Sequence, residues 1–128
     1  MEEIKLNYAT VEYKEPIIYI RFKDPIMLGP KEVLEIGEAA AKLTNNGARL
    51  VLTDVRVLVD ITEEGREVSS TREKQGNVIA HAVLIKWLAQ WLIAKVYMEI
   101  NKPDYPMRAF RDEQKAIKWL LEQKNRIG

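Results

Sequence analysis

The sequence predicts an α/β protein built on a mixed, mostly parallel sheet of about five strands with about four helices, in the order β-β-α-β-α-β-α-β-α. Three observations lead there. Two runs rich in β-branched and aromatic residues, ATVEY at 9–13 and IIYIRF at 17–22, are separated by little more than a turn and read as an antiparallel pair. After them strand-like and helix-like segments alternate, the pattern of parallel strands joined by right-handed crossovers. A chain of 128 residues is also long enough to bury a core unaided and is expected to form one domain over 1–128.

Each element follows in turn. Gly29 and Pro30 open the stretch KEVLEIGEAAAKLT, in which Val33, Ile36, Gly37 and Ala40 recur at helical spacing before the stop at Asn45, Asn46 and Gly47. RLVLTDV at 49–55 is a strand ending near Asp54, and VLVDITEEGREVSSTREKQG passes from an apolar loop into a charged helix capped by Thr62 or Asp60. NVIAHAVLI at 77–85 is a buried strand that runs into an apolar helix over 83–100. The prolines of NKPDYP forbid further helix, MRAF supplies a short last strand, and Asp112 caps a final helix whose Ala116, Trp119 and Leu120 share one side.

Composition excludes several function classes. Lys plus Arg number 20 against 19 Asp plus Glu, so no basic footprint exists for a phosphate backbone and no nucleic-acid partner is expected. With no cysteine and one histidine, disulfides, thiolate nucleophiles and Cys-based zinc sites are impossible, and no metal site or cofactor is expected. The amino-terminal MEEIKLNYATVEYKE lacks the basic and apolar regions of a signal peptide, which makes the cytoplasm the expected location.

Four stretches carry a family resemblance: VLTDVRVLVDITEEGRE, the strand AHAVLI leading into a long apolar helix, NKPDYPMRAF, and RDEQKAIKWL. Spanning roughly 50–121, they resemble the SpoIIAA-like bacterial proteins, which share the STAS-type fold of anti-anti-sigma factors. In the sporulation regulators of that fold a phosphorylatable serine lies in an Asp-Ser-Ser-Gly turn before a helix; this sequence reads DITEEG there. Thr62 is the nearest hydroxyl, and its role as a helix cap outweighs a phospho-switch. The resemblance extends by analogy to CRAL-TRIO-type lipid carriers, and it implies a binding or interaction module more than an enzyme.

No catalytic signature is present: there is no glycine-rich phosphate loop, G-x-S-x-G elbow or Ser-Lys pair. His81 lies in a strand whose alternation places Ile79, His81, Val83 and Ile85 on one face, the setting of a hydrogen-bonded core histidine. Asp54 and Arg56 stand at the carboxyl end of a parallel strand, where open sheets bind ligands, with Asp60, Thr62 and Arg66 close behind. Such a polar cluster either holds an anion or partner side chain or fixes loops through ion pairs and caps. The acidic pairs Glu63-Glu64 and Asp112-Glu113 occupy first helical turns, where they offset the helix dipole.

The stretch VLIKWLAQWLIAKVYMEI at 83–100 asks for a partner. A membrane span is rejected, because each central lysine costs roughly 2.5–3.5 kcal/mol on insertion. On a helical wheel Trp87, Trp91, Ala94 and Met98 fall on one side and Ala89, Leu92, Val96 and Ile100 nearly opposite, divided by Lys86, Gln90 and Tyr97 along one seam and Lys95 with Glu99 along the other. Small and branched side chains suit close packing on a sheet, so Ala89, Leu92, Val96 and Ile100 are expected inward, and Trp87, Trp91 and Met98 outward. The expected function is a non-enzymatic STAS-like interaction or regulatory module, a homodimer or partner-binding protein using the tryptophan face. The alternative is an apolar small-molecule or lipid-binding protein with a pocket between the 83–100 helix and the sheet; peripheral membrane contact is a further use of the same helix.

Overall fold

The computed structural model describes residues 2–71 and 76–127. Six strands form the main sheet in the order β1-β2-β3-β5-β7-β8: Glu2–Lys5, Ala9–Lys14, Ile17–Phe22, Arg49–Asp54, Val78–Leu84 and Met107–Phe110. β1, β2 and β3 are antiparallel neighbours, and β3, β5, β7 and β8 run parallel. A separate parallel pair joins β4 (Ile26–Leu28) to β6 (Val59–Ile61). The helices are α1 (Pro30–Leu43), α2 (Glu63–Ser70), α3 (Leu88–Asn101) and α4 (Glu113–Ile127).

The expected order of elements holds, with three strands added. β1 carries the charged sequence EEIK and survives because an edge strand needs one paired side only. β4 and β6, three residues each, are too short for any periodicity to announce them; pairing across more than thirty residues of chain creates them. Part of the charged stretch expected to be helical, Arg72–Gln75, lies outside the described residues.

Sheet alternation explains the near-continuous apolar runs of the central strands. Ile17, Tyr19, Leu50, Leu52, Ala80, Ala82 and Leu84 pack on Ala116 and Leu120 of α4. Ile18, Ile20, Phe22, Val51 and Val78 face the other way, toward Val33, Ile36, Ala40 and Leu43 of α1. A sheet clothed on both faces must be apolar on both. The register slips by one residue where Arg49 and Leu50 meet β7, so β7 carries an extra residue there. The slip turns Ile79 to the α4 side and so corrects the expectation that it shares a face with His81: an extra residue inverts the alternation before it.

Local signals behave as elementary chemistry requires. Glu32 Oε1 accepts from the Gly29 N–H at 2.7 Å ahead of α1, Thr62 Oγ1 accepts from Gly65 N–H at 3.0 Å at the start of α2, and Asp112 Oδ1 accepts from Gln114 and Lys115 N–H ahead of α4. Thr62 is therefore the cap of α2, while Asp60 Oδ1 accepts from the Ile61 N–H. Gly65 is closely seated: a Cβ there would stand 2.9 Å from Ile61 Cγ1 and 3.0 Å from the Leu28 carbonyl. Gly65→Ala is accordingly expected to destabilise the domain by about 1–3 kcal/mol, the range for overpacking, read from a urea melt; an unchanged midpoint would mean that β4 and β6 yield freely.

The apolar stretch departs most from expectation. Val83 and Leu84 complete β7, pairing with Ala109 and Phe110, and Ile85 N–H continues to the Phe110 carbonyl; helix begins only at Leu88, with Trp87 extended at φ −106° and ψ 149°. β-branched residues at the end of a buried parallel strand are better paired than wound. The inward face is also corrected. Gln90, Ala94 and Tyr97 are buried, whereas Ala89, Leu92, Val96 and Ile100 point to solvent together with Leu88.

Candidate binding cavity

Two of the three buried residues of α3, Gln90 and Tyr97, hold it in place through hydrogen bonds. Gln90 holds its start: Oε1 accepts from the N–H groups of Lys86 (2.7 Å) and Trp87 (3.0 Å), and Nε2 donates to the Val55 carbonyl at 2.6 Å. Tyr97 holds its second half through its hydroxyl, which hydrogen-bonds the Ser69 hydroxyl on α2 and donates to the Arg66 carbonyl at 3.4 Å. A polar pin satisfies buried groups in one geometry only, so it sets helix rotation even where apolar area favours another choice. Gln90→Ala is expected to cost about 1–2 kcal/mol and to raise amide exchange across 88–101 well above that of β5 and β7. Equal protection of helix and strands would show that the pin does not hold α3.

Raised on these pins, α3 roofs a cavity of about 170 Å³. Its floor is the sheet face bearing Ile20, Phe22, Val51, Val83 and Ile85; α1 contributes Val33 and Ile36, β6 contributes Val59 and Ile61, and α3 contributes Ile93 and Ala94. Polar groups enter at few points. Thr53 Oγ1 and His81 Nε2 share a hydrogen bond of 2.7 Å, the Tyr105 ring stands 6.3 Å from the imidazole, and Asp60, Ser69, Gln90 and Tyr97 supply the other polar groups of the lining. Burial pushes His81 down to about 4, so the ring is neutral at physiological pH. Burial likewise raises Tyr97, opposed by its bond to Ser69 and by the charge of Arg66. A few polar groups, Asp60 the one carboxylate among them, on an otherwise apolar wall are the chemistry of a ligand pocket.

The polar candidates do not converge on one point. Asp54 Oδ2 takes Arg21 Nη1 at 2.9 Å and Arg56 Nη2 at 2.7 Å, while Oδ1 takes Arg56 Nε at 2.9 Å. Glu113 accepts from Arg21 Nη2 at 3.2 Å. Burial pushes the Asp54 carboxyl up, but the hydrogen bonds and charge of Arg56, with Arg21, hold it below the ordinary carboxylate range. Asp60 faces the cavity, Thr62 caps α2, and Arg66 Nη1 donates to the Ile61 carbonyl at 3.1 Å. Of the helix candidates, Ala94 lines the cavity, Met98 is half-buried, and Trp87 and Trp91 stand outside with Lys86 and Lys95 over their rings at 4.9 and 5.4 Å.

Sequence reasoning missed Thr53, Ser69, Gln90, Tyr97 and Tyr105 as lining residues. Gln90 and Tyr97 share one seam of α3 and the others come from different elements with no common motif, so the signals on offer were that seam and the periodicity of β7, which turns His81 inward with Val83. Among the described residues no three His, Asp or Glu side chains gather to hold a metal ion, and no helix is long and apolar enough to cross a membrane.

A family profile described as a domain of unknown function, DUF7793, matches residues 11–124. The chain belongs to the DUF7793 family. Among curated proteins none matches it significantly. A crystal structure of an uncharacterized protein from the DUF3478 family with a SpoIIAA-like fold, from Shewanella loihica PV-4, superposes with a TM-score of 0.58 at 16% identity, covering 88% of this chain and 91% of that one. This DUF7793 domain therefore has the SpoIIAA-like fold that the four sequence stretches resemble.

Proposed function

We propose that the protein is a non-enzymatic binding module that takes a small apolar ligand into the cavity beneath α3. The observation that carries this reading is the cavity itself: about 170 Å³, comparable with the ~150 Å³ engineered cavity that accepts benzene, and walled chiefly by aliphatic and aromatic side chains. A long acyl chain needs more room than this. The closing of Asp54, Arg21, Arg56 and Glu113 into mutual ion pairs supports binding over catalysis, since none of the four is left poised to transfer a proton.

The test is thermal stability with a neutral aromatic probe such as indole, alongside native mass spectrometry of freshly purified protein. At about 100-fold excess over Kd a ligand adds roughly 2.7 kcal/mol, and the shift should vanish in Ala94→Phe, which fills the roof of the cavity. A protein that is empty on purification and unmoved by any aromatic probe would sink the proposal.

A second reading rests on a separate observation. Trp87, Leu88, Trp91, Leu92, Ile93, Val96 and Ile100 are 41–71% exposed along α3, an apolar area on the order of 700 Å², close to the ~800 Å² each partner contributes to a standard interface. Leu88, Leu92, Val96 and Ile100 form one i+4 row, and an antiparallel copy of the helix sets Leu88 against Ile100 and Leu92 against Val96. Self-association through this row is the interaction we favour. Light scattering over a concentration range should show a dimer that Leu92→Glu with Val96→Glu dissociates; a strict monomer unaltered by those changes, or one that binds lipid vesicles instead, would overturn it.

A further inference from the structure

Phe22 and Ile85 stand in the walls of two spaces at once. One is the apolar cavity; the other is a solvent-facing depression at the carboxyl ends of β3, β5 and β7, also lined by Asp54, Arg56, Val57, Lys86 and Arg111. The depression is cationic. Asp54 is the single carboxylate of its lining, against Arg56, Lys86 and Arg111, and both Asp54 oxygens are already engaged by Arg56 and Arg21. Arg21 and Glu113 pair with each other, Glu113 also lying 4.0 Å from Arg56, and their opposite charges leave that excess of positive charge unchanged. Among the described residues neither Lys86 nor Arg111 has a carboxylate partner, and Lys86 lies beside the exposed Trp87 ring. The carboxyl end of a parallel sheet is also where open α/β folds receive ligands.

We propose that the ligand is a small anionic amphiphile, an aryl or short alkyl carboxylate or phosphate, whose apolar body occupies the cavity while its anion meets Arg56, Lys86 and Arg111 across the Phe22 and Ile85 wall. The proposal rests on the cavity reading and adds the charge of the head group. The volume limits the body to about a single aromatic ring with a short tail. Guanidinium and ammonium groups form short, charge-assisted hydrogen bonds with either kind of anion.

Three probes of nearly one shape separate the two layers of the argument: 3-phenylpropionate, 3-phenylpropanol and 3-phenylpropylamine, each titrated by isothermal calorimetry. The acid is expected to bind on the order of tenfold or more tighter than the alcohol, and the amine weaker than both. Raising ionic strength should shrink the acid's advantage and leave the alcohol unmoved. Lys86→Glu with Arg111→Glu, verified as folded by its far-UV spectrum and thermal midpoint, should erase the preference for the acid, and Ala94→Phe should abolish binding of all three. Phenyl phosphate in a fourth arm identifies which anion the site prefers. Equal binding of acid and alcohol, or an acid preference that persists in the double variant, would overturn this inference and leave the cavity reading intact. Failure of every probe would overturn both.

Discussion

Lowering the pH from about 7 to 4 is expected to remove about 3 kcal/mol of folding stability through His81 alone. Burial holds its folded-state value at about 4 against an ordinary 6.5. Above 6.5 the ring is neutral in folded and unfolded chains and contributes nothing to the pH dependence. Below it the unfolded chain takes up a proton that the folded chain refuses until about pH 4, so stability falls steadily through that window. Carboxylates titrate in the same range, and the readout is therefore a difference: His81→Gln, which keeps a hydrogen-bonding side chain beside Thr53, should show a shallower acid limb in urea melts. Parallel profiles for the two proteins would mean that the imidazole is well hydrated in the folded state.

Asp54→Ala is expected to destabilise the domain by about 2 kcal/mol, roughly 7 °C in Tm for a chain of this length. The carboxylate accepts from two guanidinium groups at the end of the central strand, with its side chain only 13% exposed. Without it Arg56 retains Glu113 at 4.0 Å and Arg21 retains the same partner. Because both arginines are themselves well exposed, solvent takes up part of the loss, which keeps the effect below the 3–5 kcal/mol typical of a fully buried pair. The contribution has the same sign as that of His81: the Asp54 value is lowered in the fold, so its stabilisation is complete above the unfolded carboxylate range and is lost as acid protonates it. A Tm within about 1 °C of wild type would show that the cluster is a solvated surface ornament.

The candidate site was less legible than the fold, and α3 shows why. Its sequence offers apolar residues on both sides, and packing preference alone favoured Ala89, Leu92, Val96 and Ile100 as the inner stripe. The structure buries Gln90, Ala94 and Tyr97. The partners that decide this, the Val55 carbonyl and Ser69, lie 35 and 28 residues away, beyond the reach of any local pattern. The same rotation leaves the cavity beneath the helix and the apolar row outside it, so the two functional readings have one structural cause.

What the sequence determined by itself was the alternation of strands and helices, the antiparallel start, the cap at Asp112, and a cap at Thr62 or Asp60 ahead of α2. These follow from interactions within a few residues, or from periodicities of two and 3.6 that the chain carries in every environment. The tertiary structure alone decided the short β4–β6 pair, the slip that turned Ile79 away from His81, the end of β7 within the apolar stretch, and the rotation of α3. Each depends on hydrogen bonds between segments far apart in sequence, where leaving a buried polar group unpaired costs more than exposing an apolar one.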